Sequence, residues 1–309
     1  MNIYRSIQEV GFDKKTALTI GTFDGLHLGH QEILSVLKNK AAEKGLRSFV
    51  VTFEPHPRTV VIGLGSPLHL ITTIEEKTEL FEKAGVENLL IINFTEEFSQ
   101  TPPEVFFREY IIDKIGVTSC IIGYDHRFGK GRDGGEDIIR GLAAANSFDV
   151  TTVGAVQIGD IIISSSKIRH LLFEGETGLV HKMLGRNFSL LGHVVKGDQR
   201  GRLLGFPTAN IRLSNKDKII PGVGVYAVKA EVEGTAYNSV MNVGYRPTFV
   251  TGELTIEVHL LGFDGDLYDK EMKVTVLERM RGEKKFISKN DLIEQIKTDI
   301  QKAKDFFNN

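Results

Sequence analysis

The sequence predicts two domains of different class: an α/β domain with a doubly wound parallel sheet over residues 1–184, then an all-β barrel with a C-terminal helix over residues 185–309. Three observations carry this expectation. At 309 residues the chain exceeds the size at which a single hydrophobic core stops growing. From residue 16 to about residue 184, short β-rich runs alternate with helical stretches, the order of a parallel sheet covered on both faces. Beyond Leu184, strand-like runs follow one another between glycine-rich turns with little helical periodicity.

Taken in order, "TALTIG" reads as a strand leading into the helix "LGHQEILSVLKNKAAEKG". There Ile33, Leu34, Leu37 and Ala41 mark one apolar face, and Gly45 is a C-terminal stop. "RSFVVTF" is the next strand, and "TTIEEKTELFEKAG" starts as a capping box of Thr73 with Glu76. "NLLIINF" reads as strand and "TPPEVFFREYIIDKIG" as a helix with prolines in its first turn, where missing N–H groups cost little. "TSCIIG", a helix near "GEDIIRGLAAAN", the strand "DVTTV" and a helix from about Ser165 complete the first domain. The barrel strands are "FSLLGHVVKG", "GVYAVKAEVEG", "AYNSVMNVG", "LTIEVHLLGF" and "MKVTVLERM". In the closing helix Leu292, Ile296, Ile300, Ala303 and Phe307 recur at helical spacing, a face to pack on the barrel.

A net charge of -2 creates no global field that would gather nucleic acid or anionic lipid, so any cationic site is local. The start "MNIYRSIQEV" lacks the basic flank and apolar core of a secretory signal, and no apolar run reaches membrane-spanning length. These features predict a cytoplasmic protein with neither nucleic-acid nor membrane partners, a monomer or weak homo-oligomer. The single cysteine, Cys120, sits in an apolar strand and can form no internal disulfide.

The first chemical candidate is "GTFDGLHLGH", Gly21 to His30, at a strand end where a helix begins. In an open α/β sheet that is where ligands bind, and a helix N-terminus behind glycines suits an anion. His27 and His30 can share one face of the first helical turn, with Gly29 between them. A metal site would need a third ligand, and a glycine turn with two solvated histidines also fits the stretch. The second candidate is "IISSSKIRHLL", where Ser164, Ser165 and Ser166 precede Arg169 at a loop-to-helix transition. Hydroxyls, helix-start N–H groups and a guanidinium all suit phosphate oxygens, although a serine cap with a solvated arginine fits as well.

Together these two stretches resemble the signature motifs of the HxGH nucleotidyltransferase superfamily. The resemblance implies that Gly21, Phe23, Asp24, Gly29, His30, Ser164, Ser165 and Arg169 bind ATP. It further implies that His27 and His30 serve catalysis by positioning and charge stabilisation, without a covalent intermediate. "FEPHPR" and "GYDHRFGKGRDG" follow predicted strand ends and resemble the flavin-side elements of the FMN adenylyltransferase domain of bacterial FAD synthetases. Pro55, His56, Pro57, Asp125, Arg127 and Phe128 are thereby implied as flavin-binding.

In the second half, "GRLLGFPTAN" ends in Pro207, Thr208, Ala209 and Asn210. Thr208 and Asn210 offer neutral oxygen ligands and Gly205 a flexible approach, suited to Mg²⁺ bridging nucleotide phosphates; a proline turn with an Asx cap is the plainer alternative. Glu257 in "LTIEVHLLGF" shares a strand face with His259, opposite Ile256 and Val258, and could accept a proton from an attacking hydroxyl. A solvated strand glutamate is the plainer alternative here. "GRLLGFPTAN", "GVYAV", "NVGYRPTF" and "EVHLLGFDGDLYDKEM", in this order, resemble the riboflavin kinase domain. That resemblance implies Gly205, Pro207, Thr208 and Asn210 at ATP, Thr208 and Asn210 at Mg²⁺, and Glu257 as the base.

Both halves thus resemble the bacterial bifunctional riboflavin kinase/FMN adenylyltransferase family, which implies ATP, riboflavin and FMN as substrates and a requirement for Mg²⁺. The first half departs from the family pattern, which has threonine then arginine where Ser166 and Lys167 stand, and phenylalanine at His126. The alternative is therefore a riboflavin kinase with a weak or inactive adenylyltransferase domain.

Overall fold

The structure is a computed structural model and describes residues 1–61, 68–197, 201, 204–245 and 254–308. The Arg246–Phe249 portion of "NVGYRPTF" and Arg202–Leu203 of "GRLLGFPTAN" lie outside the described residues. The chain forms two compact units, 1–165 and 166–309.

The first unit is built on six parallel strands: β1 (Asn2–Tyr4), β2 (Thr16–Ile20), β3 (Arg47–Glu54), β4 (Asn88–Asn93), β5 (Ser119–Gly123) and β6 (Asp149–Val153). Their spatial order is β1-β4-β3-β2-β5-β6. The chain winds outward from β2 through β3 to β4, then returns to the other side of β2 for β5 and β6. The topological switch point, where open α/β sheets leave a crevice, therefore lies at the end of β2. Every residue of β2 is buried. Leu18, Ile20, Phe49, Val51 and Leu90 fill one face of the sheet, while Ala17, Val50, Leu89, Ile91 and Ile121 fill the other. This alternation within continuous apolar runs is what burial on both faces requires.

The helices are α1 (Leu28–Lys44), α2 (Pro57–Val61), α3 (Ile74–Lys83), α4 (Glu96–Ser99), α5 (Pro103–Phe106) and α6 (Glu136–Asn146). Gly45 ends α1 in the left-handed region at φ 61°, a conformation that favours glycine. The capping box of Thr73 with Glu76 opens α3. The helix predicted across 101–116 differs from expectation: after the single turn of α5, residues Phe107–Ile115 wind as a π-helix, with Gly116 N–H donating to Ile111 five residues back. Buried positions recur there every four residues, at Phe107, Ile111 and Ile115, a spacing that drifts off one face of an ordinary α-helix. A short hairpin of β7 (Gln157–Ile158) and β8 (Ile161–Ile162) precedes α7 (Ser165–Glu174) and α8 (Thr177–Leu184).

The second unit holds a closed antiparallel barrel in the order β10-β13-β12-β11-β14-β9. Its strands are β9 (Ser189–Val195), β10 (Ala209–Leu213), β11 (Gly224–Val232), β12 (Thr235–Tyr245), β13 (Leu254–Leu260) and β14 (Glu271–Arg281). Closure removes the free edges that an open sheet of this length would expose. The C-terminal helix α9 (Lys289–Asn308) packs Ala303, Ile300 and Phe307 against Val225 and Val240.

The division between compact units falls at Ser165/Ser166, earlier than the boundary expected after Leu184. The intervening helices are tied to the barrel by their backbone. Gly222 N–H donates to Leu172 O at 2.8 Å and Arg279 Nη1 to Glu174 O at 2.9 Å. A β-carbon on Gly222 would lie 2.0 Å from Phe173 O, so the two segments touch main chain to main chain.

Candidate active sites

The Gly21–His30 stretch forms the turn from β2 into α1, at the switch point of the sheet. Its backbone is held in costly conformations: Phe23 (φ 49°) and Leu26 (φ 36°) lie in the left-handed region alongside Gly25 (φ 85°). Two strained non-glycine residues in one short turn persist only where their surroundings over-determine them. Phe23 is buried and meets both Phe81 and the His30 ring edge-on, with centroids 5.5 and 5.2 Å apart. The Asp24 carboxylate accepts from Ile71 N–H, Thr72 N–H and Thr72 Oγ1–H at 2.9–3.2 Å. Gly25 N–H donates to Thr72 Oγ1 at 2.8 Å. Phe23 and Asp24, both expected at ATP, are thus buried within the turn, and the segment entering α3 bonds to it through Ile71 and Thr72.

His27 is the N-cap of α1, and its Nδ1 accepts the backbone N–H of His30 at 3.4 Å. A ring nitrogen that accepts carries no proton, so a neutral His27 bears its hydrogen on Nε2. The His27 and His30 rings stack with centroids 3.7 Å apart. Gly29 makes room for the pair, since a β-carbon there would sit 3.2 Å from the His27 ring. A second ammonium-like charge against His27 is unfavourable, and His30 Nδ1 is buried without a hydrogen-bond partner. Burial, then the His27 and Lys77 charges, hold His30 well below the usual imidazole range, so it is neutral at neutral pH.

The second motif reaches this turn through Ser165, whose Oγ donates to Asp24 O at 2.8 Å. Ser165 begins α7, and Arg169 follows four residues later on the same helical face. Ser164 precedes the helix; Ser166 and Lys167 lie in its first turn.

"FEPHPR" follows β3 and "GYDHRFG" follows β5, the two neighbours of β2, so both leave the same edge of the sheet as the Gly21–His30 turn. Pro55, Asp125 and Arg127 are exposed and Pro57 half-buried. His56 is buried, and its Nδ1 accepts from Arg58 N–H at 3.1 Å, so it caps α2. Phe128 is buried against Phe106 and Phe107. His126 stacks on Phe128 with centroids 5.5 Å apart and rings inclined by 29°, so the family's phenylalanine is replaced here by another flat ring.

In the barrel, strand register joins the two kinase-like motifs. Asn210 on β10 stands directly opposite Glu257 on β13, and Glu257 stands opposite Asn242 on β12. Directly opposed residues share a face of the sheet, which puts Asn210, Glu257 and Asn242 side by side. His259, two residues along on that face, bonds through Nδ1 to Pro207 O at 2.7 Å and ties the PTAN segment to β13. Ile256 and Val258 point into the core. The Asn210 side chain lies against Gly197, where a β-carbon would come within 2.3 Å of it. Thr208 and Asn210 supply hard, neutral oxygens that fit Mg²⁺ but leave its charge unbalanced, so the residues fit an ion arriving with nucleotide phosphates. Among the described residues no cluster of three His, Cys, Asp or Glu side chains could hold a metal.

Lys77, Thr72 and Asn242 were not singled out from the sequence. Lys77 carried a readable signal: it lies three residues after Ile74 and four before Phe81, on the stripe that faces the core. Asn242 carried none, because its place beside Glu257 is a matter of register alone.

The sequence pattern of the FAD synthetase family matches residues 10–167, and that of the riboflavin kinase family residues 184–307. The bifunctional riboflavin kinase/FMN adenylyltransferase of Bacillus subtilis is 40% identical over 302 residues, covering 96% of this chain and 93% of its own. The protein of the same name from Escherichia coli K12 is 34% identical over 293 residues, covering 94% and 92%. A solved structure described as a macrolide-efflux protein from Streptococcus pneumoniae superposes with a TM-score of 0.87 at 30% identity, over 98% of both chains. No helix among the described residues is long and apolar enough to cross a membrane.

Proposed function

Because the chain belongs to the bifunctional riboflavin kinase/FMN adenylyltransferase family, we propose, residue by residue, how its two sites divide the work. The chain phosphorylates riboflavin to FMN with its C-terminal half and adenylylates FMN to FAD with its N-terminal half. In the barrel, Glu257 takes the proton of the riboflavin hydroxyl as that oxygen attacks the γ-phosphorus of ATP and ADP departs. Gly205, Pro207, Thr208 and Asn210 receive the nucleotide, with Thr208 and Asn210 contributing oxygens to Mg²⁺, which when bound neutralises phosphate charge. The opposed placement of Asn210 and Glu257 supports this reading, since it sets the base beside the nucleotide's ligands.

In the N-terminal half, a phosphate oxygen of FMN attacks the α-phosphorus of ATP, forming the new P–O–P bond as pyrophosphate leaves. His27 and His30 act as donors to the phosphates, while Gly21 and Gly29 let the chain approach them closely. Ser164, Ser165 and Arg169 serve the leaving pyrophosphate. Phe23, Asp24 and His56 act by holding the turns that carry these groups. Pro55, Pro57, Asp125, Arg127 and Phe128 serve the flavin side. Mg²⁺ accompanies ATP in this step too. The protein works in the cytoplasm as a monomer or weak homo-oligomer on small molecules, without nucleic-acid or membrane partners. The alternative of a weak or inactive adenylyltransferase half is not favoured, since the FAD synthetase pattern matches across that half.

The test incubates the full chain with riboflavin, ATP and Mg²⁺ and separates riboflavin, FMN and FAD by chromatography. Glu257→Gln is expected to stop FMN formation while sparing conversion of supplied FMN to FAD, and His30→Ala to do the reverse. FAD formation by His30→Ala at the parental rate would displace the proposed site.

A further inference from the structure

Lys77 is 3% exposed, inside the apolar stripe of α3 beside the fully buried Phe81. A buried ammonium costs several kcal/mol unless it is compensated, so the position calls for a reason. Its Nζ donates to Thr22 O at 3.3 Å, and Thr22 is the second residue of the Gly21–His30 turn. An ammonium has three donors, and no other hydrogen-bond acceptor engages Lys77 among the described residues. Burial pulls the Lys77 pKa below its ordinary 10.5, and Asp24 on the turn, Glu54 at the end of β3 and Glu75 on α3 are the charges that pull it part of the way back. On the other side, the Lys77 charge and the His27 ring act on His30.

We propose that Lys77 is a positioning residue of the adenylyltransferase site, its buried side chain and its bond to Thr22 holding the glycine turn that carries the stacked His27–His30 pair. The proposal rests on the assignment of adenylyl transfer to this turn. Two roles meet in one side chain. The hydrogen bond anchors a strained turn that must keep its shape as the triphosphate enters. The charge adds positive potential behind the helix start, where the phosphates collect. It also disfavours a further positive charge on His30, leaving that ring able to donate from one nitrogen.

Charge and hydrogen bond can be separated by substitution. Lys77→Gln keeps a donor for Thr22 O and removes the charge; Lys77→Arg keeps the charge. In the full-length chain, Lys77→Gln is expected to lower kcat/KM for ATP in FAD formation about tenfold, the scale of exchanging one charged hydrogen-bond donor for a neutral one. It should also move the acid limb of that pH profile to higher pH, because His30 then protonates more readily. Lys77→Arg should return the limb toward the parental position, and FMN formation should stay unchanged in both as the control. A Lys77→Gln protein with parental kcat/KM and a parental acid limb overturns the proposal.

Should Lys77→Gln fail to fold, Lys77→Met compared with the parental chain decides the point. A parental kcat/KM for ATP together with an unchanged His30 midpoint by histidine NMR overturns the proposal; a lowered kcat/KM with a raised midpoint supports it. His30→Ala keeps the two readings apart. If it abolishes FAD formation while Lys77→Gln is silent, only the Lys77 inference falls. If neither affects FAD formation, the site assignment itself is at fault.

Discussion

Asp24→Asn probes how the N-terminal site is held. The Asp24 side chain is 1% exposed and accepts from three donors: Ile71 N–H, Thr72 N–H and Thr72 Oγ1–H. Asparagine keeps the shape and one acceptor oxygen, so the change isolates charge. A hydrogen bond to an ionised group contributes about 1 kcal/mol more than a neutral one, and three such bonds give about 3 kcal/mol. Loss of a negative neighbour for buried Lys77 adds to this in the same direction. Amide hydrogen exchange on the full chain can read the effect unit by unit, which a global unfolding curve cannot do for two units. The most protected amides of β2 and β3 should exchange roughly a hundredfold faster, the equivalent of about 3 kcal/mol. Those of β11 and β12 should not change. Protection in β2 and β3 within about twofold of the parental protein, or equal losses in the barrel, would refute the view of Asp24 as the latch of the turn.

Two further expectations follow from the same geometry. Gly29→Ala places a β-carbon 3.2 Å from the His27 ring, so the stacked pair must shift; FAD formation should fall at least tenfold while FMN formation is unaffected, measured by the same chromatographic assay. The buried His30 stays neutral in the folded chain while the unfolded chain takes up a proton below the ordinary value of 6.5. Its contribution to stability is therefore complete above pH 6.5 and is lost as pH falls below it, by at most about 1.4 kcal/mol per pH unit. Exchange protection of β2 amides between pH 7 and pH 5 should show this slope, and His30→Gln should flatten it.

The element order was legible in the sequence because it is written in local patterns. Buried parallel strands read as continuous apolar runs, barrel strands as short runs between glycine turns, and helix ends as Thr73 with Glu76 or Gly45. The chemistry was legible at the same level: "GTFDGLHLGH" and "PTAN" are contiguous, so their spacing survives without knowledge of the fold. Some local patterns were nonetheless incomplete. The π-helical winding of Phe107–Ile115 depends on which side chains the core receives, and the helix prediction passed over it.

The partners of the motif side chains were decided by tertiary structure. Asp24 and His56 have the residue types of ligand-binding groups, yet their polar atoms are engaged by the backbone of Ile71, Thr72 and Arg58, contacts that a linear motif does not contain. Asn242 joins Glu257 through strand register, and a shift of one residue would send it to the opposite face. Lys77 lies on the core-facing stripe of its helix in the sequence, but its bond to Thr22 exists only once α3 is packed against the turn. By itself, then, the sequence determined the two folds and the two nucleotide-handling motifs, because these rest on local pattern, while the two reactions came from the resemblance those motifs carry to a known family. The packing of distant segments decided which motif side chains are buried and which backbone groups they bond, because burial and hydrogen-bond partners exist only once the chain has closed on itself.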